Sequence, residues 1–155
     1  MEIRTAECSD LDAIARVEAE CFPAAEAATR QALEERLEHY HNHFWLLLDE
    51  GRLVCFVDGM VTNQKDLTDD LYETARAHDE SGSWQMIFGV NTIPEYRNRG
   101  CAGTLLKTAI EAARQQGRRG LVLTCKERLV PYYAKFGFVS EGVSGSTHGG
   151  VTWYQ

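Results

Sequence analysis

The chain has 155 residues, 44% of them hydrophobic and 25% charged, with a formal net charge of −7. This length suits one domain with a substantial core, so we predict a single domain over residues 1–155, and the acidity without a basic stripe argues against a nucleic-acid partner. Five scattered cysteines without a C-x-x-C pair, no apolar run of transmembrane length and no signal-peptide pattern lead us to expect a reduced, cytoplasmic protein without a membrane partner.

The first 60 residues predict a strand, two helices and a β-hairpin. Ile3–Thr5 is the candidate strand, and Ser9 is a suitable N-cap for the helix that Pro23 ends. Thr29 is the candidate cap of the second helix. Residues 44–48 and 53–57 are apolar runs on either side of a turn, which is typical of a hairpin. The inner face of the first helix follows helical spacing, at Leu11, Ile14, Ala15 and Val17/Glu18.

Residues 63–83 form a long polar and acidic excursion. Leu67, Leu71 and Ala75 recur at helical spacing there, so we expect a short surface helix. A long excursion in a compact domain is often a binding loop. Its acidic side chains are candidates to attract an amine, although a solvated face explains them more simply.

The second half predicts strands alternating with helices. Trp84 to Ile93 reads as one strand with a bulge at Gly89, and a helix from Thr104 ends at Gly117. Together the elements predict a single layered α/β domain, with a mixed sheet of about six or seven strands and helices on both of its faces. The remaining predicted elements are a buried strand over 120–125, a short helix over 129–135, and strands over 138–140 and 151–154.

Residues 95–103 form the turn between the strand and the helix. Free N–H groups at a helix start, with the helix dipole behind them, bind anions. Gly100 and Gly103 would let a phosphate approach the main chain closely, and Arg97 and Arg99 add positive charge. The residues alone fit a pyrophosphate-binding turn or an ordinary glycine-containing connection.

The turn and a second motif together resemble the GNAT N-acetyltransferase superfamily. Arg97-Asn98-Arg99-Gly100-Cys101-Ala102 matches the family's acetyl-CoA pattern, Gln/Arg-x-x-Gly-x-Gly/Ala. About thirty residues later, Leu129-Val130-Pro131-Tyr132-Tyr133 followed by Phe136-Gly137-Phe138 resembles the arylalkylamine (serotonin) N-acetyltransferase branch. The element order resembles the family over essentially the whole chain.

The resemblance implies acetyl-CoA as the cofactor and a mostly antiparallel twisted sheet with a splayed central strand pair. It assigns Val90, Asn91 and Thr92 to the pantetheine arm through backbone pairing, with a backbone N–H near Val90 close to the thioester oxygen. It assigns the pyrophosphate to the turn, at Asn98, Arg99, Gly100, Cys101, Ala102 and Gly103.

By the same resemblance, Tyr133 is the catalytic tyrosine, a general acid toward the departing thiolate. A phenol with a pKa of about 10 keeps its proton at neutral pH and can hydrogen-bond that sulfur. The spacing to Phe136-Gly137-Phe138 selects Tyr133 over Tyr132. Read without the resemblance, Tyr133 is a core aromatic on a short amphipathic helix.

One departure from the branch concerns the amine proton. The vertebrate enzyme has two histidines on the central strand, and their positions hold Met86 and Phe88 here. Neither side chain accepts a proton. Either a water chain to another group accepts the proton, or the substrate amine arrives neutral. Gln85 can orient a water but is a poor base, and Glu26 and His148 are candidate bases that surface solvation also explains. Candidates for the acceptor pocket, each also a plausible core residue or placed by position alone, are Phe22, Pro23, Phe88 and Thr124.

We therefore expect an acetyl-CoA-dependent N-acetyltransferase that acts on a small primary amine, with arylalkylamines among the candidates, by direct attack in a ternary complex, as a monomer or homodimer. A protein or peptide N-acetyltransferase and a non-catalytic acyl-CoA-binding module are the alternatives. No metal is expected, because His39, His41 and His43 alternate across a helix end, where capping and an exposed loop explain them.

Overall fold

A computed structural model describes residues 1–142, which contain seven strands and five α-helices. The strands are β1 (Glu2–Thr5), β2 (Phe44–Asp49), β3 (Arg52–Asp58), β4 (Val61–Thr62), β5 (Trp84–Ile87), β6 (Gly89–Thr92) and β7 (Gly120–Leu123). The helices are α1 (Leu11–Cys21), α2 (Arg30–Tyr40), α3 (Asp69–Glu73), α4 (Cys101–Gln115) and α5 (Val130–Ala134). None of the helices within residues 1–142 is long and apolar enough to cross a membrane.

The strands form two sheets rather than one. One has the order β1-β2-β3-β6 and is antiparallel throughout. The other has the order β4-β5-β7, with β4–β5 antiparallel and β5–β7 parallel. The mostly antiparallel, mixed architecture predicted from the sequence is confirmed.

The prediction of one strand from Trp84 to Ile93 is wrong in one respect, because the chain changes sheets at Phe88. Before that residue, β5 pairs with β7, and after it, β6 pairs with β3. The Phe88 N–H donates to the Asp58 carbonyl at 2.7 Å, which draws the chain onto β3. The pairing with β7 ends at Ile87 and Leu123, so beyond this point the run separates from its neighbouring strand, as the predicted splayed strand pair requires.

Both faces of β3, an interior strand of the four-stranded sheet, are covered. Successive residues of a strand point to opposite faces, and every residue of β3 after Arg52 is buried. Helices α1 and α4 both pack against β3. Gly59, directly after this strand, allows a close approach of two backbone segments, because a β-carbon there would lie 1.8 Å from the Met86 carbonyl oxygen.

Two local predictions are corrected. Ser9 is not the N-cap of α1, because it lies inside a 3-10 turn, Cys8–Asp10, in which the Asp10 carboxylate accepts from Glu7 N–H at 2.8 Å. Residues 138–140 are not a strand in the structure. The Thr29 cap is confirmed, since its hydroxyl accepts from Ala32 N–H at 3.1 Å. The strand predicted over 151–154 and His148 lie outside the described residues.

The acidic excursion packs against the core. It contains the short helix α3, and Leu67, Leu71 and Ala75 are only 1%, 3% and 6% exposed. The helical spacing predicted there therefore marks a buried face, and the excursion belongs to the body of the domain rather than to a free surface loop.

Candidate active site

The turn before α4 has the backbone expected of an anion site. Gly100 is the N-cap and adopts a left-handed conformation with φ of 78°, and Asn98 has φ of 63°. Glycine suits such a position because it lacks the β-carbon that clashes there. The first N–H groups of a 15-residue helix follow directly and have no partner within the helix.

A groove of about 350 Å³ runs along this turn and the end of β6. The Thr92 carbonyl at its edge accepts from Arg97 Nε at 3.1 Å and from Cys21 Sγ at 3.3 Å. Of the predicted cofactor residues, those that line the groove are Val90, Thr92, Asn98, Gly100, Cys101, Ala102 and Tyr133.

The register of β6 explains why Val90 and Thr92 face the groove while Asn91 does not. Ile93 N–H donates to the Val54 carbonyl at 3.0 Å, and Asn91 lies opposite Phe56 in the same ladder. Hydrogen-bonded pairs alternate in an antiparallel ladder, so the backbone groups of Asn91 point toward β3 and those of Val90 and Thr92 point toward the open edge. Among residues 1–142, β6 has no second strand partner.

Two other predicted cofactor residues also lie off the groove lining. The Arg99 guanidinium sits over the Tyr96 ring, 4.8 Å from its centroid. Gly103 packs against Phe136, where a β-carbon would lie 3.1 Å from a ring carbon. The second glycine of the turn thus allows α4 to pack closely against the residues that follow α5.

Tyr133 lies where the groove meets a second cavity. It lines both, together with Phe22, Val90 and Leu129, whereas Tyr132 lines only the groove. Burial raises the pKa of Tyr133 well above its usual value of about 10. The phenol therefore keeps its proton throughout the neutral range and can act as a hydrogen-bond donor.

The second cavity, of about 110 Å³, holds three of the four predicted acceptor-pocket residues: Phe22, Phe88 and Thr124. The fourth, Pro23, does not line it. Its carbonyl instead accepts from the N–H groups of Glu26 and Ala27, both at 2.9 Å, and so closes the turn after α1.

The acidic excursion supplies one wall of this cavity. The Tyr72 ring on α3 packs on Phe88 with centroids 4.6 Å apart, and its hydroxyl lies 2.9 Å from the Thr124 hydroxyl. Burial raises the pKa of Tyr72 to about 12, so it too stays protonated. The excursion thus contributes to the cavity wall through an aromatic residue rather than through its acids.

The residues at the two missing histidine positions have different surroundings. Met86 is fully buried in the core and does not line the cavity, whereas Phe88 lines it with Arg36 5.0 Å from its ring centroid. The Gln85 amide is committed to the core, where it donates to the Gly59 carbonyl at 2.8 Å and the Met86 carbonyl at 2.7 Å. Gln85 is therefore not available to orient a water.

A cluster of buried charges that sequence reasoning did not assign to the site adjoins the cavity. Glu18 and Arg36 line it, and Asp58 lies behind them in an ion pair with Arg36 at 3.2 Å. The available signal was Glu18 itself, an acid at an inward position of an otherwise apolar helix face. Asp58 and Arg36 gave no such signal, because they come from a strand end and from another helix.

The exposed loop predicted at His39–His43 is wrong for His43, which is fully buried. Its Nδ1 bonds Gln85 Oε1 and its Nε2 bonds Glu80, each at 2.9 Å. His78 bonds the same carboxylate, and Arg118 pairs with it at 3.0 Å. The ligand atoms of these two histidines and Glu80 are close enough to hold a metal ion. The ring nitrogens of His43 and His78 and the Glu80 carboxylate already take part in these contacts, as expected for a structural network.

The Acetyltransferase (GNAT) family matches residues 11–138. The chain belongs to this family. It is also 31% identical over 108 residues to serotonin N-acetyltransferase from Mesocricetus auratus, an alignment that covers 69% of this chain and 51% of that enzyme. Both the predicted superfamily and its suspected branch are therefore supported.

Other relatives of this GNAT chain differ in named activity. A probable hydrolase, YhcX of Bacillus subtilis, is 26% identical over 145 residues, covering 88% of the chain and 27% of that protein. The chain thus spans about half of one of these relatives and about a quarter of the other. A structure of the GphF GNAT-like decarboxylase in complex with isobutyryl-CoA is 30% identical, with a TM-score of 0.73 over 90% of this chain and 73% of that one.

The fold is shared with more distant GNAT structures. The ribosomal-protein-S18-alanine N-acetyltransferase of Escherichia coli superposes with a TM-score of 0.70 at 17% identity, over 92% of this chain and 79% of that one. This likeness concerns the fold alone.

Proposed function

We propose that this GNAT domain is an acetyl-CoA-dependent N-acetyltransferase whose acceptor is a small primary amine. The observation that supports the proposal is the meeting of two cavities at Tyr133. One is a groove with exposed backbone donors, and the other is small, aromatic-lined and bordered by buried carboxylates. Acetyl-CoA supplies an activated acetyl thioester, and an amine is the nucleophile.

The groove suits the two parts of CoA for separate reasons. The N-terminus of α4, with Gly100, Cys101 and Ala102 beside it, offers backbone donors and a positive dipole end for the pyrophosphate. The open edge of β6 offers the backbone groups of Val90 and the N–H of Thr92 to an extended pantetheine chain, as to an added strand, while the Thr92 carbonyl is engaged by Arg97 and Cys21. Arg99 would act on the phosphates through charge only, since it stacks on Tyr96.

Tyr133 is assigned the role of hydrogen-bond donor to the leaving sulfur. Its position between the cavities suits this role, because the bond that breaks lies between the acetyl group and CoA. The raised pKa of the phenol keeps the donor proton in place at the pH at which a thiolate forms. Binding both substrates together lowers the entropic barrier to attack.

Size and charge favour a small amine over the alternatives. A peptide acceptor needs an open groove, whereas the second cavity has a volume of only about 110 Å³. Decarboxylation, suggested by the named activity of the 30% identical structure, requires a substrate that carries a carboxylate. The acids Glu18 and Asp58 outnumber the single cation Arg36 in this cluster, which opposes a second anion and favours an ammonium group.

The proposal is tested by measuring free CoA thiol released from acetyl-CoA with a panel of small amines, peptides and no acceptor. We expect release with at least one small amine. Tyr133→Phe is expected to lower kcat by about 100-fold or more, as for the loss of a general acid. Tyr132→Phe is the matched control and should lose much less, because Tyr132 does not line the acceptor cavity.

Each alternative predicts a different pattern in the same assay. Release with peptides only would support a protein N-acetyltransferase. Thermal stabilisation by acetyl-CoA without release with any acceptor would support a non-catalytic module. Full activity of the Tyr133→Phe variant across the pH range would remove the role assigned to Tyr133.

A further inference from the structure

A buried cluster of charges lies at the wall of the acceptor cavity. Glu18 is 5% exposed, Arg36 6% and Asp58 0%, and they come from α1, α2 and β3. Taken as charged, the three side chains carry a net charge of −1. Burying an excess carboxylate is costly, so a cluster of this kind calls for a chemical reason.

The free oxygens of the two carboxylates converge on Gly89. Glu18 Oε2 accepts from Ala28 N–H at 2.9 Å, and Asp58 Oδ2 pairs with Arg36 Nη1 at 3.2 Å. The other oxygens, Glu18 Oε1 and Asp58 Oδ1, lie 3.7 and 2.8 Å from where a β-carbon on Gly89 would sit. The absence of a side chain on Gly89 thus leaves a polar space between them, directly before Val90.

Unpartnered buried atoms border the same space. Asp58 Oδ1 and both polar side-chain atoms of Asn91 are buried without a hydrogen-bond partner among residues 1–142. Asn91 Nδ2 also lies 2.8 Å from the Gly89 β-carbon position. Buried polar groups are nearly always hydrogen-bonded, so this set is suited to a polar guest or a transferred proton.

Glu18 is the member of the pair that faces the substrate. It lines the acceptor cavity, and Asp58 does not. Glu26 lines the cavity too, but Lys126 holds its carboxylate at 2.9 Å. Of these three acids, Glu18 therefore differs in two respects: its side chain lines the cavity, and its carboxylate forms no ion pair with a described cation.

We propose that Glu18 accepts the proton that the acceptor amine must lose before it attacks, and that the Glu18–Asp58 pair selects cationic primary amines. This inference rests on the function proposed above. The ammonium transfers one proton to the Glu18 carboxylate and becomes a neutral amine. The amine nitrogen then forms a bond to the acetyl carbon as the carbon–sulfur bond breaks, and the second nitrogen proton ends on the CoA thiol. Glu18 returns its proton to solvent.

The electrostatics of the cluster suit this role. Burial, followed by the charge of Asp58, raises the pKa of Glu18 to about 7, against the opposing effects of the Ala28 N–H and Arg36. A base is most effective when its pKa lies near the working pH. The charged groups that act on Glu18 are Asp58 on β3 and Arg36 on α2. The other titratable groups around it are Cys21 on its own helix and the cavity-lining residues Tyr72, Cys125, Tyr133 and Glu26, the last of which pairs with Lys126.

The test is the pH dependence of kcat and KM in wild type, Glu18→Gln and the control Glu20→Gln, with an amine from the panel that wild type acetylates. Glu20 is on the same helix but exposed. In wild type, kcat/KM should rise through a limb near pH 7. Glu18→Gln should lose that limb, with kcat/KM about 100-fold lower at pH 7. The gap should narrow toward pH 10, where a substantial fraction of the free amine is already neutral, since a primary alkylamine has a pKa of about 10.4.

The outcomes separate this inference from the proposed function. If wild type releases CoA thiol with an amine and Glu18→Gln keeps its pH profile and KM, the role of Glu18 is overturned while the function stands. If no acceptor gives release, the function fails and the role of Glu18 falls with it. Equal CoA affinity in the variants, measured by calorimetry, shows that the groove is intact.

A second measurement does not depend on a variant that folds. In wild-type protein carrying ¹³C at the glutamate side-chain carboxyl, one resonance should titrate near pH 7 rather than near the ordinary glutamate value. If every glutamate titrates below about pH 5, close to the ordinary value, Glu18 is not poised to accept a proton and the proposal is overturned.

Discussion

The two cavities that meet at Tyr133 differ in whether backbone groups or side chains define them. The groove runs along backbone at a left-handed turn, a helix start and the open edge of β6. The second cavity is lined by residues from four helices, three strands and the connections between them, with the buried ion pair of Arg36 and Asp58 beside it. A backbone site can recognise one common cofactor across many sequences, whereas a side-chain site can change with each acceptor. Single substitutions can therefore perturb one cavity and leave the other intact.

The largest loss of stability should follow from removing Arg36, the cation of the buried cluster that also contains Glu18 and Asp58. Arg36→Met leaves Glu18 and Asp58 buried without it, which is expected to lower the free energy of unfolding by about 3–5 kcal/mol, as when one partner of a buried ion pair is lost. Urea unfolding measures the change. The control is Arg114→Met, whose exposed pair with Glu111 should contribute less than about 1 kcal/mol. Equal losses in the two variants would show that the cluster needs no cation.

The next effect is a pH-dependent difference between wild type and Glu18→Gln. The folded-state pKa of Glu18, about 7, lies above the ordinary 4.5, so the folded protein binds a proton that the unfolded chain has lost between these values. Stability of wild type should therefore fall as pH rises from 4.5 to 7, by up to about 3 kcal/mol relative to the glutamine variant. Unfolding at pH 4.5 and 7.5 measures this. A constant difference would contradict the raised pKa, because Asp58 is present in both proteins and its titration largely cancels.

The smallest effect separates backbone strain from cofactor binding. Gly100 and Gly117, at opposite ends of α4, have φ of 78° and 75°, and a β-carbon on either would meet no other atom within 4 Å. Alanine at each should cost about 1 kcal/mol of stability through the same strain. Only Gly100→Ala should also weaken CoA binding, by roughly tenfold or about 1.4 kcal/mol, because Gly100 lines the groove. Similar CoA affinities would argue against a pyrophosphate site at this turn.

The contrast between the cavities also explains what the sequence could predict. The turn at 97–102 is contiguous, so spacing and glycine content were enough to make it a candidate anion site. Tyr133 was selected by its distance from Gly137 along the chain. The same reasoning assigned Gly103 to the cofactor, and sequence alone does not show that Phe136 packs against this glycine.

The acid cluster was missed because its members are far apart in the chain. Glu18, Arg36 and Asp58 become neighbours only after α1 and α2 pack on β3. The division of the 84–93 run was missed for a related reason: a continuous apolar run does not reveal that its two halves pair with different strands. Periodicity describes one element, whereas these features depend on contacts between elements.

The open edge of β6 has a consequence for the lifetime of the protein. An unpaired strand edge is a template on which another chain can add, and edge-to-edge pairing is a common route to aggregation. A ligand that occupies the edge also stabilises the folded state in proportion to the logarithm of its concentration. If CoA pairs with this edge, the CoA concentration in the cell would affect both the rate of acetylation and the fraction of the protein that stays folded and unaggregated.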